Sequence, residues 1–289
     1  MGKTCLVKCI RAIKHVLLDK KSGLVPNIFS DNEVCQLGVT FLAYGRKFSY
    51  DFQYNAKTNE YAYESFSEML KDQYGNEKEV NWLKRDTINE VYYCTDEDVQ
   101  AMMPIISKNN LFYYLVDISK FECLKEMKDI LVSFAEKIDI INMNNIPMKH
   151  TIELMKNRNN LQEKIVDFIK NADLYMDDFK YVDIDKIQVK ASDEEERPEE
   201  KALDIPENIM DQIRLVSTYK GVHVPSMLFD STGTKKIAAI ASYVIEAIEE
   251  GRFLVVDELD SSIHFKLTRA IVALFNNELN TSAQMIFTV

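Results

Sequence analysis

Along this chain, runs in which apolar and polar residues alternate are interleaved with runs in which apolar residues recur every three or four positions. Over 4–19, Leu6, Cys9, Ile10, Ile13 and Leu17 fall on one face, and Ser22, Gly23 and Pro26 follow; a helix ending there is expected. Residues 34–42 and 46–54 read as two strands around Tyr44-Gly45. Phe48, Tyr50, Phe52 and Tyr54 alternate with polar residues, the pattern of an antiparallel hairpin with one wet face. Residues 58–66 are expected to add a third strand. From about 80 to 180 the pattern reads as mostly helical. It is clearest over 121–137 and 151–171, where Leu161, Ile165, Phe168 and Ile169 share a face. Residues 179–189 and 213–218 alternate like strands, and no repeat of 20–50 residues is visible.

The last sixty residues are the most regular. Ile237, Ile240, Ala241, Val244, Ile245 and Ile248 trace one helix face, and Gly251 stops it. Phe253 to Val256 is a continuous apolar run, as in a strand buried on both faces. A helix over 264–276 follows through Leu267, Ile271, Leu274 and Phe275, and 284–289 is expected to be a second buried strand. Strand, helix, strand at this spacing predicts a parallel α/β unit with a right-handed crossover.

Composition narrows the function classes. Of 289 residues 46% are apolar and 28% charged, a mix that can fill a sizeable core. The net charge of −11 argues against a nucleic-acid-binding surface over the whole protein and leaves room for a local basic patch. The stretch 193–200 holds six acids and one Arg and is expected to be a surface loop. Cys5, Cys9, Cys35, Cys94 and Cys123 are odd in number and lack paired short spacings, which fits reduced thiols in a cytoplasmic protein. Cys5 and Cys9 have no second cysteine pair nearby in sequence to complete a metal site. No apolar run reaches the ~18–20 residues of a membrane span, and the N-terminus has no signal-peptide pattern.

Three segments carry chemistry. Gly2-Lys3-Thr4 opens a helix, where backbone N–H groups can cradle phosphate, a Lys can reach the β- and γ-phosphates and a Thr hydroxyl can ligate Mg²⁺. Alone it is also a common tripeptide. Phe253 to Glu258 is an apolar strand ending in Asp257 and Glu258, at the sheet edge where α/β proteins build their sites; two acids in the loop after a core strand is the plainer reading. Asp230 to Lys235 is a small-residue turn before a helix. There Ser231 can cap and Gly233 lets backbone approach an anion; it also reads as an ordinary N-cap.

Taken together, GKT with a helix, a long intervening segment, S-x-G-x-K with a helix, then apolar strand and D-E form the layout of ABC-type ATPases. In wording the chain resembles the AAA-15/AAA-21 group of ABC-like ATPases, common in bacterial defence. The run DSTGTKK resembles that group's signature, and VVDELDSSIHFKLTRAIVALFN resembles its strand-and-acids block. LQEKIVDFIKNADLYMDDF and the 34–54 hairpin are also similar to family segments. The resemblance implies an α/β P-loop core with an antiparallel β layer over 1–120, a helical insert and acidic linker over 121–205, and the rest of the core over 206–289. It implies ATP and Mg²⁺ as ligands. Gly2, Lys3 and Thr4 would bind phosphate, and Thr4 and Asp257 would hold the metal, their groups about 3–6 Å apart. Glu258 would polarise the attacking water. Ser231, Gly233 and Lys235 would face the γ-phosphate held by a partner copy, with Asp260 and Ser261 in the loop crossing that seam. His264 would have a structural or seam role.

The chain also departs from the pattern. The glycine-rich start of the phosphate loop is expected before Met1 and the family's histidine at position 290, one past the end, so residues 1–289 by themselves are expected to bind and turn over ATP weakly. Phe265 stands where Pro is usual, and no glutamine stands out as the family's Q-loop residue, Gln36 and Gln53 being no more than candidates. The function expected is that of a homodimerising ATPase that switches an effector, such as a nuclease, in phage defence, without a membrane. Nucleic acid is a further candidate partner. The alternatives are a non-hydrolysing nucleotide-sensing module and a DNA-repair or chromosome-maintenance ATPase.

Overall fold

A computed structural model describes residues 2–18, 24, 33–115, 120–157, 159–172, 175–182 and 207–289. The chain divides into two compact units, 1–138 and 139–289. The acidic run at 193–200 and most of the strand expected at 179–189 lie outside the described residues.

The first unit opens with α1 (Lys3–Leu17) and continues into β1 (Val34–Ala43), β2 (Arg46–Asn55), β3 (Glu60–Lys71), β4 (Glu77–Asp86) and β5 (Val91–Cys94). It closes with α2 (Glu97–Met102), α3 (Phe112–Leu115) and α4 (Glu122–Glu136). The strands form one antiparallel sheet in sequence order. The β1–β2 hairpin turns at Tyr44 (φ 52°) and Gly45 (φ 73°), the left-handed pair of a two-residue hairpin loop whose twist matches its strands. As the alternation predicts, Phe48, Tyr50 and Phe52 are fully buried. The opposite face meets solvent on β1, where Gln36, Gly38 and Thr40 are exposed, while their β2 partners Gln53, Asp51 and Ser49 are half-buried.

Strands β4 and β5 fall where the pattern read as helix. Glu77–Asp86 carries charged residues around Val80, Trp82 and Leu83, a composition with little strand propensity of its own. Pairing with β3 fixes it as a strand, since strand preference depends mostly on neighbours. The apolar face of α1 is also rotated from the expected one. Val7, Ile13, Val16 and Leu17 are buried, while Leu6 and Cys9 are exposed.

A buried ion pair anchors the segment after α2. Arg85 and Glu64 side chains are 1% and 0% exposed and meet at 3.1 Å. Glu64 also accepts the Phe112 N–H at 2.8 Å and the Tyr50 hydroxyl at 3.2 Å, and Arg85 donates to the carbonyls of Ser107 and Asn110. Burial pushes the Glu64 carboxyl above its ordinary range, and Arg85 opposes that shift.

The second unit begins with β6 (Ile138–Asn142), followed by α5 (Lys149–Asn157), α6 (Asn159–Ala172), β7 (Asp178–Tyr181), α7 (Glu207–Arg214), β8 (Leu215–Tyr219), β9 (Val222–Pro225) and α8 (Ser226–Phe229). Helix α9 (Thr232–Glu250), β10 (Phe253–Asp257), α10 (Phe265–Phe275) and β11 (Gln284–Phe287) complete it. Two sheets result: β11-β10-β6, and an antiparallel β7-β8-β9. Strands β10 and β11 are parallel neighbours in register Phe253↔Gln284 to Val256↔Phe287, as expected. Strand β6 falls in a stretch whose pattern read as mostly helical, and β7 coincides with the described start of the strand expected over 179–189.

The helix expected over 151–171 is two helices, α5 and α6, and β8 starts at Leu215 because Ile213 and Arg214 finish α7. Strand β11 is not buried on both faces: Gln284 and Phe287 are exposed, as befits the edge of its sheet among the described residues. Ile240, Val244 and Ala247 of α9 pack with Leu254, Val256, Leu259 and Ile271, which places α9 and α10 against β10. Helix α9 is capped at both ends. The Ser231 side chain accepts the Thr234 N–H at 3.1 Å, and Gly251 takes a left-handed φ of 63° with Ser282 so close that a Cβ would lie 2.8 Å from its hydroxyl. Among the described residues no helix is long and apolar enough to cross a membrane.

Candidate functional site

The buried strand β10 delivers Asp257 and Glu258 to its C-terminal end. Asp257 is 8% exposed, and Glu258 is exposed. Thr288, just past β11, donates its hydroxyl to Asp257 Oδ1 at 2.6 Å, and Asn142, ending β6, donates its amide to Oδ2 at 3.2 Å. The acid is thus held from both neighbouring strand ends by neutral groups, and among the described residues no basic side chain pairs with it. A buried carboxylate without a cation is costly, and a divalent metal would relieve that cost. Among the described residues no three His, Cys, Asp or Glu side chains cluster to hold a metal by themselves. The single buried carboxylate of Asp257, with its neutral partners, is a donor that Mg²⁺ could use, since that ion binds one or two carboxylates and takes its other ligands from phosphate and water.

Glu258 leaves the strand with φ 60°, a left-handed backbone that non-glycine residues adopt sparingly. Two bonds from the β11 side hold it there: its N–H donates to Thr288 Oγ1, and the Leu259 N–H to the Thr288 carbonyl, both at 2.8 Å. Its carboxylate accepts a bond from the Asn144 amide, whose oxygen accepts the Ser261 hydroxyl. Asn142, Asn144 and Thr288 belong to none of the three segments that carry chemistry in the sequence. The alternating N-x-N at the end of a short apolar run, Ile138–Asn142, was the available signal.

The loop 258–262 meets the start of α9. Lys236 donates from Nζ to Ser262 Oγ at 3.1 Å and to the Ser261 carbonyl at 3.3 Å, and a Cβ on Gly233 would lie 3.4 Å from the Ser262 carbonyl oxygen. Ser231 and Thr232 are exposed at the turn, and Lys235 is half-buried. The turn itself is fastened from below by Asp230, which accepts the hydroxyls of Ser217 and Ser226 at 2.6 Å and of Tyr219 at 2.9 Å. Asp260 is exposed, and Ser261 donates its N–H to the Glu258 carbonyl at 2.9 Å. His264 caps α10, its Nδ1 accepting the Lys266 N–H at 3.2 Å. That is a structural role.

Ser231, Gly233, Asp257, Glu258 and Ser261 therefore gather in the second unit. Gly2, Lys3 and Thr4 belong to the first, where Gly2 takes an extended backbone as the N-cap of α1 and leaves its N-terminus without a side-chain cap. A groove of about 390 Å³ is lined by Phe253, Val272, Phe275 and the edge strand β11, and none of the acids or turn residues line it.

No curated protein matches the chain. A family model described as "AAA domain, putative AbiEii toxin, Type IV TA system" matches residues 130–288. That span runs from the middle of α4 through β11 and takes in the capped turn, both acids and Thr288. Covering more than half of the chain, and holding the residues that build the site, the match places this protein in that family of P-loop AAA ATPases.

Proposed function

We propose that this chain closes with a second copy around ATP and hydrolyses it, using the acids at the end of β10. The observation that carries the reading is the division of labour between adjacent carboxylates. Asp257 is buried and gripped by Asn142 and Thr288, while Glu258 projects exposed from a constrained backbone beside it. Asp257 and Thr4 would hold Mg²⁺, which when bound neutralises charge developing on the phosphate oxygens. Lys3 and the N–H groups opening α1 would bind the phosphates. Glu258 orients the attacking water and takes its proton. Ser231, Gly233 and Lys235 present the start of α9 to the nucleotide held by the other copy, and Asp260 and Ser261 lie along the seam.

The family's description names a putative toxin of a type IV toxin–antitoxin system, and the proposed switch acts on an effector, such as a nuclease, in defence against phage. The test is phosphate release and molecular mass of the full-length protein and its Glu258→Gln variant with Mg-ATP. Glu258→Gln should bind ATP, lose turnover by about a hundredfold or more, and accumulate as a dimer only when ATP is present. Unchanged hydrolysis by Glu258→Gln removes Glu258 from the mechanism.

A further inference from the structure

Two adjacent lysines follow the capped turn, and the structure separates them. Lys236, not Lys235, is the buried one, at 9% exposure. Its ammonium meets only neutral oxygens: Ser262 Oγ at 3.1 Å, the Ser261 carbonyl at 3.3 Å and Ser261 Oγ at 3.4 Å. Among the described residues no carboxylate pairs with it. Burying an ammonium against neutral acceptors alone costs stability, and a methionine would fill the same space without that cost. Gly233 approaches the same loop at a second point, near the Ser262 carbonyl oxygen. Ser262 is itself held at φ 63°.

We propose that Lys236 is a positioning residue that ties the turn at 231–234 to the loop at 260–262. A displacement of the turn by the other copy's nucleotide is then carried directly into the loop that lies along the seam. The proposal rests on the reading that two copies close around ATP. Lys236 acts through Ser261 and Ser262. Ser261 also bonds Asn144, the residue that holds Glu258, so the tie extends from the turn to the water-side carboxylate.

The test is amide hydrogen exchange of the full-length, nucleotide-free protein carrying Lys236→Met or Lys236→Arg. In Lys236→Met, residues 259–263 should exchange about tenfold faster. The α9 amides should be unchanged and the melting temperature no lower. Lys236→Arg, which keeps a cationic donor, should restore protection, and Lys236→Gln should fall between. In the Glu258→Gln background, Lys236→Met should weaken the Mg-ATP dimer while ATP affinity of the monomer is unaltered. Unchanged exchange at 259–263 overturns the tie, as does faster exchange across the whole 139–289 unit with a lowered melting temperature. If the Glu258→Gln parent itself never dimerises with Mg-ATP, the two-copy reading falls, and the exchange arm still decides whether Lys236 holds the loop.

Discussion

The hydroxyl of Thr288 serves Asp257 and Glu258 at once: it donates to Asp257 Oδ1 at 2.6 Å and accepts the Glu258 N–H at 2.8 Å. One side chain from the end of β11 thereby sets the position of both acids at the end of β10. Thr288→Val keeps the shape and strands a buried oxygen and an N–H. Its expected cost is about 1–3 kcal/mol in denaturant unfolding, together with a loss of turnover in the full-length protein. Thr288→Ser should recover most of both. A Thr288→Val protein with wild-type stability and turnover would mean that the hydroxyl orders neither acid.

The Glu64–Arg85 pair answers to a different rule. Removing one member leaves a buried charge uncompensated, so Arg85→Met should destabilise by about 3–5 kcal/mol. It should also loosen the segment whose carbonyls at Ser107 and Asn110 Arg85 now satisfies. The double variant Glu64→Gln with Arg85→Met removes both charges and should lose less than Arg85→Met alone. Urea unfolding of the wild type and the two variants gives the comparison, and equal losses in the single and the double variant would contradict the pair's role.

Stability should also depend on acid through Glu68. A two-pronged contact from Arg46, at 2.8 and 2.7 Å, holds the Glu68 carboxyl below its ordinary value of 4.5. A depressed folded pKa means that the folded state binds this proton less readily than the unfolded one. The contribution is therefore full above about pH 4.5 and is lost as pH falls through the lowered folded value. Because Arg46 is 38% exposed, solvent screening limits the pair to about 1 kcal/mol. Glu68→Gln should show that deficit at pH 7, a smaller one at pH 3, and a smaller one in high salt, all by chemical denaturation. A deficit that grows on acidification would reverse the sign argued here.

Elements whose burial follows from their own sequence were legible. The β1–β2 hairpin, α9 with its Gly251 stop, β10 and α10 all showed the right period, and Asp257 and Glu258 stood out because two acids ended an apolar run. Elements defined by their neighbours were not. Strand β4 is mostly charged and becomes a strand by pairing with β3. Asn142 and Asn144 sat in a stretch read as helix and matter because β6 lies beside β10. Lys236 was hidden behind Lys235 in the wording of the turn. The helical phase that buries Ile240, Val244 and Ala247 also carries Lys236, so periodicity could have separated the two lysines.

The left-handed backbone at Glu258 sets stability and chemistry against each other at a single codon. Glycine adopts that conformation freely and asparagine more readily than most residues, whereas glutamate adopts it at a cost. In a library randomised at position 258 and ranked by cellular abundance, glycine and asparagine should outrank the native residue. Ranked by ATP turnover, glutamate should lead, with both of those near the bottom. Selection for foldability alone would drift away from the native letter, and under the proposed mechanism the strain at position 258 is carried for the sake of a carboxylate.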